Sequence, residues 1–139
     1  MSCSRVCFIA LISAALAACS EGVGLSTTLV TRIDHASLDP SGLRVSFTIT
    51  NVGARTEDVP ACGGQVSPRF QERSGTRWAE VGGGLCVAVY SAVPISLAAN
   101  ATVSGTAGLC CVGPGTYRLV VSYAPDGSPR AVSESFAVR

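Results

Sequence analysis

The sequence predicts an all-β domain over residues 28–139, an antiparallel β-sandwich of about seven to eight strands, and three observations carry that prediction. Apolar and polar residues alternate at period two through most of this length, which is the signature of a strand with one buried and one wet face. Turn chemistry recurs at intervals of roughly ten residues. No segment after residue 20 sustains apolar residues at i, i+3, i+4 and i+7 over three turns, so no amphipathic helix competes.

The elements follow in order. In "GLRVSFTITNVG", Leu43, Val45, Phe47 and Ile49 alternate with Arg44, Ser46, Thr48 and Thr50. The preceding "DPSG" supplies a turn, so "TLVTRIDHASL" becomes the other arm of a hairpin. "QVSPRFQERSGTRWAEV" reads as two short strands around Ser74-Gly75, with Phe70 and Trp78 as core aromatics. The "GGG" at 82–84 reads as a loop, and "LCVAVY" at 85–90 as a short strand or an irregular crossing. Ile95 and Leu97 precede a turn at Ala99-Asn100, followed by a strand over 101–109. "GTYRLVVSYA" is a further strand, "PDGSP" closes a last hairpin, and Phe136 and Val138 lie one strand step apart at the end.

Residues 1–18 have a different character: a basic start at Arg5, an apolar run from Val6 to Leu16, then Leu16-Ala17-Ala18-Cys19. That is the layout of an export signal, and the run is too short to span a bilayer stably. Its last four residues resemble the lipobox of bacterial lipoproteins, which implies cleavage before Cys19 and attachment of lipid to its thiol. Two or more acyl chains would anchor the protein lastingly. Ser20 stands where aspartate marks inner-membrane retention in Gram-negative lipoproteins, so the outer membrane is the favoured address. Residues 19–27 then form a lipidated tether.

Composition narrows the function. The formal net charge is +1, with no basic footprint for nucleic acid. His35 is the single histidine, and no G-x-S-x-G nucleophile elbow accompanies it. Glu57 and Asp58 are adjacent and diverge on a strand, while Glu72 and Glu80 are expected to pair with Arg73 or Arg77 rather than act as a glycosidase dyad. Neither a catalytic set, a metal site nor a cofactor site is legible, and the expectation is a non-enzymatic protein.

Seven cysteines are present. Cys3 and Cys7 leave with the signal and Cys19 carries lipid, so Cys62, Cys86, Cys110 and Cys111 remain, an even set in an exported chain. Zinc is the rival use of four thiols, but the C-x₂₋₄-C spacing of paired ligands is missing. A redox centre of the usual kind would want C-x-x-C at a helix N-terminus, and neither is found.

"FTITNVG", "VPACGG", "FQERSGTRW", "PISL" and "GPGTYRLVVSYA" together resemble bacterial Ig-like sandwich modules and, more loosely, the intracellular proteinase inhibitor type of domain. The resemblance spans about Leu43 to Val138 and implies an Ig-like, Greek-key sandwich. It places Asn51 and Gly53 at the corner ending the second strand, and Pro114, Gly115 and Tyr117 at the turn opening the penultimate one. Tyr117 fits a tyrosine corner, whose hydroxyl bonds back to the backbone. Ala99-Asn100 departs from the usual Pro-Gly.

The Cys62–Cys86 pairing matches the spacing of the resembled modules. Both residues border glycine-rich loops, and a bond between them would close a loop of about 25 residues, worth roughly 3 kcal/mol. Cys110 and Cys111 would then bond each other through a strained turn or stay reduced, one inward and one outward. The alternative joins Cys62 and Cys86 separately to the two adjacent cysteines. The function expected on these grounds is a membrane-anchored, non-catalytic binding or structural module of the cell envelope with a protein partner, and protease inhibition is the alternative.

Overall fold

A computed structural model describes residues 28–83 and 92–139. The leader, Cys19, the tether, Cys86 and the "LCVAVY" segment lie outside the described residues. The rest is all-β. A three-stranded antiparallel sheet has the order β1-β2-β9, built from β1 (Leu29–Asp39), β2 (Gly42–Asn51) and β9 (Thr102–Leu109). A five-stranded sheet contains β6 (Arg69–Ser74), β7 (Arg77–Gly83), β10 (Gly115–Tyr123), β11 (Pro129–Val132) and β12 (Phe136–Val138). Two short ladders complete it, β3 (Glu57–Val59) with β8 (Ile95–Leu97), and β4 (Ala61–Cys62) with β5 (Gln65–Val66).

Twelve strands are described, more than the expected seven or eight, because connections that look like loops in sequence form ladders of two to four residues. The long hairpins lie where the alternation puts them. In β1–β2, Leu38 faces Leu43 and Ile33 faces Phe47, and Asp39 closes the turn by accepting a 2.7 Å bond from the Ser41 amide. Ser74 faces Arg77 across the β6–β7 turn, where Gly75 takes φ +61°.

The two larger sheets share one core. Leu43, Val45, Phe47 and Ile49 of β2 meet Phe70 of β6 and Tyr117, Leu119 and Val121 of β10, all at most 2% exposed. Truncating such a buried aromatic costs on the order of 3–5 kcal/mol. Opposite Phe47 on β9 stands Gly105, where a Cβ would sit 2.8 Å from the ring's Cζ. The missing side chain makes room for the ring.

Three expectations are corrected here. Gly82 and Gly83 are strand residues of β7, not a loop. Pairing slips between Phe70↔Gly82 and Gln71↔Glu80, and the backbone passes so close to its neighbours that a Cβ on Gly82 would meet Leu109 Cδ1 at 2.6 Å and one on Gly83 the Pro68 carbonyl oxygen at 2.7 Å. Trp78 is half-buried outside the core, because it shares a sheet face with Arg73 and Glu80, opposite to the Phe70 face. Glu80 pairs with Arg69 at 2.8 Å, and Glu72 accepts from Tyr117 at 3.3 Å, instead of their sequence neighbours. Cross-strand partners lie closer than residues that diverge along one strand.

Asn51 ends β2 and is fully buried with its hydrogen bonds made. Its Nδ2 donates to the carbonyls of Arg55 (2.7 Å) and Leu97 (2.8 Å), and its Oδ1 accepts from the Gly53 amide at 2.9 Å. Its own amide donates to Ala101 O (3.0 Å), and its carbonyl accepts from the Asn100 amide (2.7 Å). Nearby, Glu57 takes Arg130 at 2.9 Å and Thr28 at 3.3 Å, linking β3 to β11 and to the start of β1. In contrast, Thr31 Oγ1 is buried with no hydrogen-bond partner among the described residues.

Two substitutions read these features in opposite directions. Asn51→Ala strands two carbonyls and an amide in the interior and is expected to lower unfolding free energy by about 3 kcal/mol or more. Thr31→Val removes an unpaired buried hydroxyl and is expected to raise it by about 1 kcal/mol. Denaturant midpoints at constant slope check both.

Candidate functional site

Two outer faces carry the polar side chains. On the five-stranded sheet, Arg118 lies 4.3 Å from the ring centroid of Trp78 and donates from Nε to Gln71 Oε1 at 2.9 Å. Arg69 stacks over Tyr123 at 5.4 Å, and the Tyr123 hydroxyl donates to Glu80 at 3.0 Å. Burial pulls Arg118 below its ordinary value. Burial, followed by the Glu80 carboxylate, pushes Tyr123 up to about 12. These groups satisfy one another, so the face works as a cross-strand brace and offers little to a ligand.

The outer face of the β1-β2-β9 sheet is different. Period two brings His35 and Ser37 of β1, Arg44 and Ser46 of β2, and Thr106 and Gly108 of β9 to one side, with His35 opposite Ser46 and Arg44 opposite Gly108. A slip in pairing between Ile33 and His35 accommodates Asp34 as an extra residue and resets the phase of β1. Asp34 accepts from Thr48 at 2.7 Å and pairs with Arg32 at 2.9 Å; first Thr48 and then Arg32 hold its carboxyl below the usual range.

His35, Ser37, Arg44, Ser46, Thr106 and Gly108 line an open groove of about 510 Å³ that extends to Cys110. Strand β9 ends at Leu109, and Cys111 takes φ +64°, a left-handed conformation uncommon for a residue with a Cβ. The turn swings Val112 back against the core and leaves both thiols outside. Cys110 and Cys111 are free and exposed, not split one inward and one outward, because the chain has left the strand where that alternation holds. The neighbouring Cys110, first through its side-chain hydrogen bonding and then through its charge, pushes the Cys111 thiol up.

The other predicted positions lie elsewhere. Tyr117 is fully buried at the start of β10, and its hydroxyl donates to the Gly113 carbonyl at 2.7 Å, tying down the loop that follows the cysteines. Burial, then Glu72, raise its phenol. Cys62 is half-buried in the β4–β5 hairpin, turned by Gly63 (φ +59°) and Gly64 (φ +78°). Its expected partner Cys86 is outside the described residues. Among the described residues no three His, Cys, Asp or Glu side chains converge as metal ligands.

Sequence reasoning missed the grouping of His35, Arg44 and Cys110. The signal was available in part: Cys110 is in phase with Gly108 and Thr106, so a β2–β9 pairing puts it on the wet face. No protein-family model, no characterised protein and no solved structure matches the chain.

The raised Tyr123 value makes the brace pH-sensitive. A phenol that holds its proton more tightly when folded contributes stability in full below pH 10, and that contribution is lost as pH rises towards about 12. Unfolding free energy measured between these limits is expected to fall with pH, and to fall less steeply in Tyr123→Phe.

Proposed function

We propose that the protein is a lipid-anchored lipoprotein of the bacterial cell envelope, carrying an Ig-like sandwich as a non-catalytic binding module. Cys19 holds the lipid, residues 19–27 form the tether, and a Cys62–Cys86 disulfide braces the domain beside the segment they enclose. The partner is a protein or small molecule met in the envelope, on the outer membrane where two membranes exist.

One observation carries the binding reading: the groove lies towards the end of β1 opposite Leu29, the end that the proposed tether would join. Strand β1 starts at Leu29 and runs eleven residues to Asp39, a reach of about 33 Å at ~3.3 Å per residue. The groove residues His35, Ser37, Ser41, Arg44 and Cys110 all belong to its far half. The near end is occupied by structural bonds, the Asn51 network and the Glu57–Arg130 pair. A domain tethered at Cys19 would thus present the groove away from the lipid surface, where a partner can approach.

Two measurements test the reading. Cys19→Ser is expected to abolish incorporation of labelled fatty acid and to move the protein from the membrane to the soluble fraction; unchanged membrane association sinks the anchor. Crosslinking in intact envelopes from a photoreactive residue at Ser37 is expected to capture a partner, whereas the same probe at Val52, at the near end, captures less. Equal capture from both sites contradicts a binding end.

A further inference from the structure

Two adjacent, exposed thiols at a preformed turn go beyond passive binding. We propose that Cys110 and Cys111 form a dithiol–disulfide site that reacts with a low-molecular-weight disulfide bearing carboxylates, such as oxidised glutathione, and closes to a bond between the adjacent sulfurs. This inference does not depend on the lipid anchor.

Neighbouring Cα atoms across a trans peptide are ~3.8 Å apart, short of the ~4.4–6.8 Å that disulfides usually span, so a vicinal bond needs a distorted turn. Much of that distortion is already present. Cys111 sits at φ +64° in the reduced protein, and both it and Cys110 are exposed. Three further features hold the turn: β9 pairs with β2 up to Leu109↔Leu43, Val112 packs against the core, and Tyr117 bonds the Gly113 carbonyl at 2.7 Å. The groove specifies the ligand class. It ends at Cys110, has the size of small-molecule sites, and includes the Arg44 guanidinium, which can meet a carboxylate as the disulfide approaches.

The chemistry balances as two thiol–disulfide exchanges. The Cys110 thiolate attacks one sulfur of the small disulfide, whose S–S bond breaks and releases the first small thiol. Cys111 then gives up its proton and, as the thiolate, attacks the Cys110 sulfur of the mixed disulfide. The second small thiol leaves. The cysteine pair loses two electrons and two protons, and the small disulfide is reduced to two thiols.

The test uses the full processed chain in detergent, treated with oxidised glutathione and digested with chymotrypsin, which cuts after Tyr90 and separates Cys110 and Cys111 from Cys86. The peptide is expected to lose two hydrogens and gain no glutathione; a chain isolated with the ring already closed gives the same peptide directly. Before oxidation the protein should bind one equivalent of phenylarsine oxide, which bridges paired thiols, and after oxidation none. Cys111→Ser should stop at a glutathione adduct on Cys110, and Cys111→Asn, which tolerates the left-handed turn, should do the same if serine perturbs folding. Arg44→Ala should slow closure by oxidised glutathione but not by cystamine, which lacks carboxylates. Stable glutathione adducts on the wild-type pair, or arsenical binding no stronger than in Cys111→Ser, would overturn the site. Equal slowing with cystamine would overturn the assignment of ligand class.

Discussion

The Asn51 side chain is the constraint on which the arrangement rests. A carboxamide buried without partners would cost the fold heavily, yet here the side chain and backbone of one residue make five hydrogen bonds to Gly53, Arg55, Leu97, Asn100 and Ala101. It joins the end of β2 to β8 and to the turn that launches β9. Because β2 and β9 are neighbours in one sheet, fixing this turn also sets their register, Ile49 against Val103 and Phe47 against Gly105. A one-residue slip would drive Phe47 into a backbone position that has a Cβ and turn the inward row outward.

A consequence is that the two ends of the domain have different duties. Around Asn51 and Glu57 the polar groups are spent on one another. At the other end the Asp39–Gly42 turn and the Cys110–Gly115 loop leave His35, Arg44 and two thiols facing solvent. Rigid strands thus carry reactive groups at their tips, so the chemistry proposed for Cys110 and Cys111 needs no motion of the core. The left-handed Cys111 is the local strain, held in place by Val112 and Tyr117 on its C-terminal side.

Much of the fold was legible because period two is a strong signal where one face is dry. Leu43, Val45, Phe47 and Ile49 identify β2 and its buried face, and Asp39-Pro40-Ser41-Gly42 identifies its hairpin. The signal weakens where backbones approach closely: Gly82 and Gly83 look like loop residues because glycine is both a turn former and the only residue with room against Leu109 and Pro68. It is silent on partners across strands. Trp78 is apolar enough to suggest a core, but Arg118, forty residues away in sequence, covers it from the wet side. The candidate site was less legible for the same reason. Two adjacent cysteines alternate only while the strand continues, and nothing in "GLCCVGPG" marks Cys111, rather than a glycine, as the left-handed residue.

Amide hydrogen exchange tests most directly the claim that Asn51 locks one end while the other stays open to chemistry. The amides of Asn51, Gly53 and Asn100 are expected to exchange only through global unfolding, with the same free energy as that of Phe47 in the core, and the amides of Cys111 and Val112 through a smaller local opening. Exchange at Asn51, Gly53 and Asn100 several kcal/mol easier than at Phe47, or a cysteine loop as protected as the core, would contradict the account.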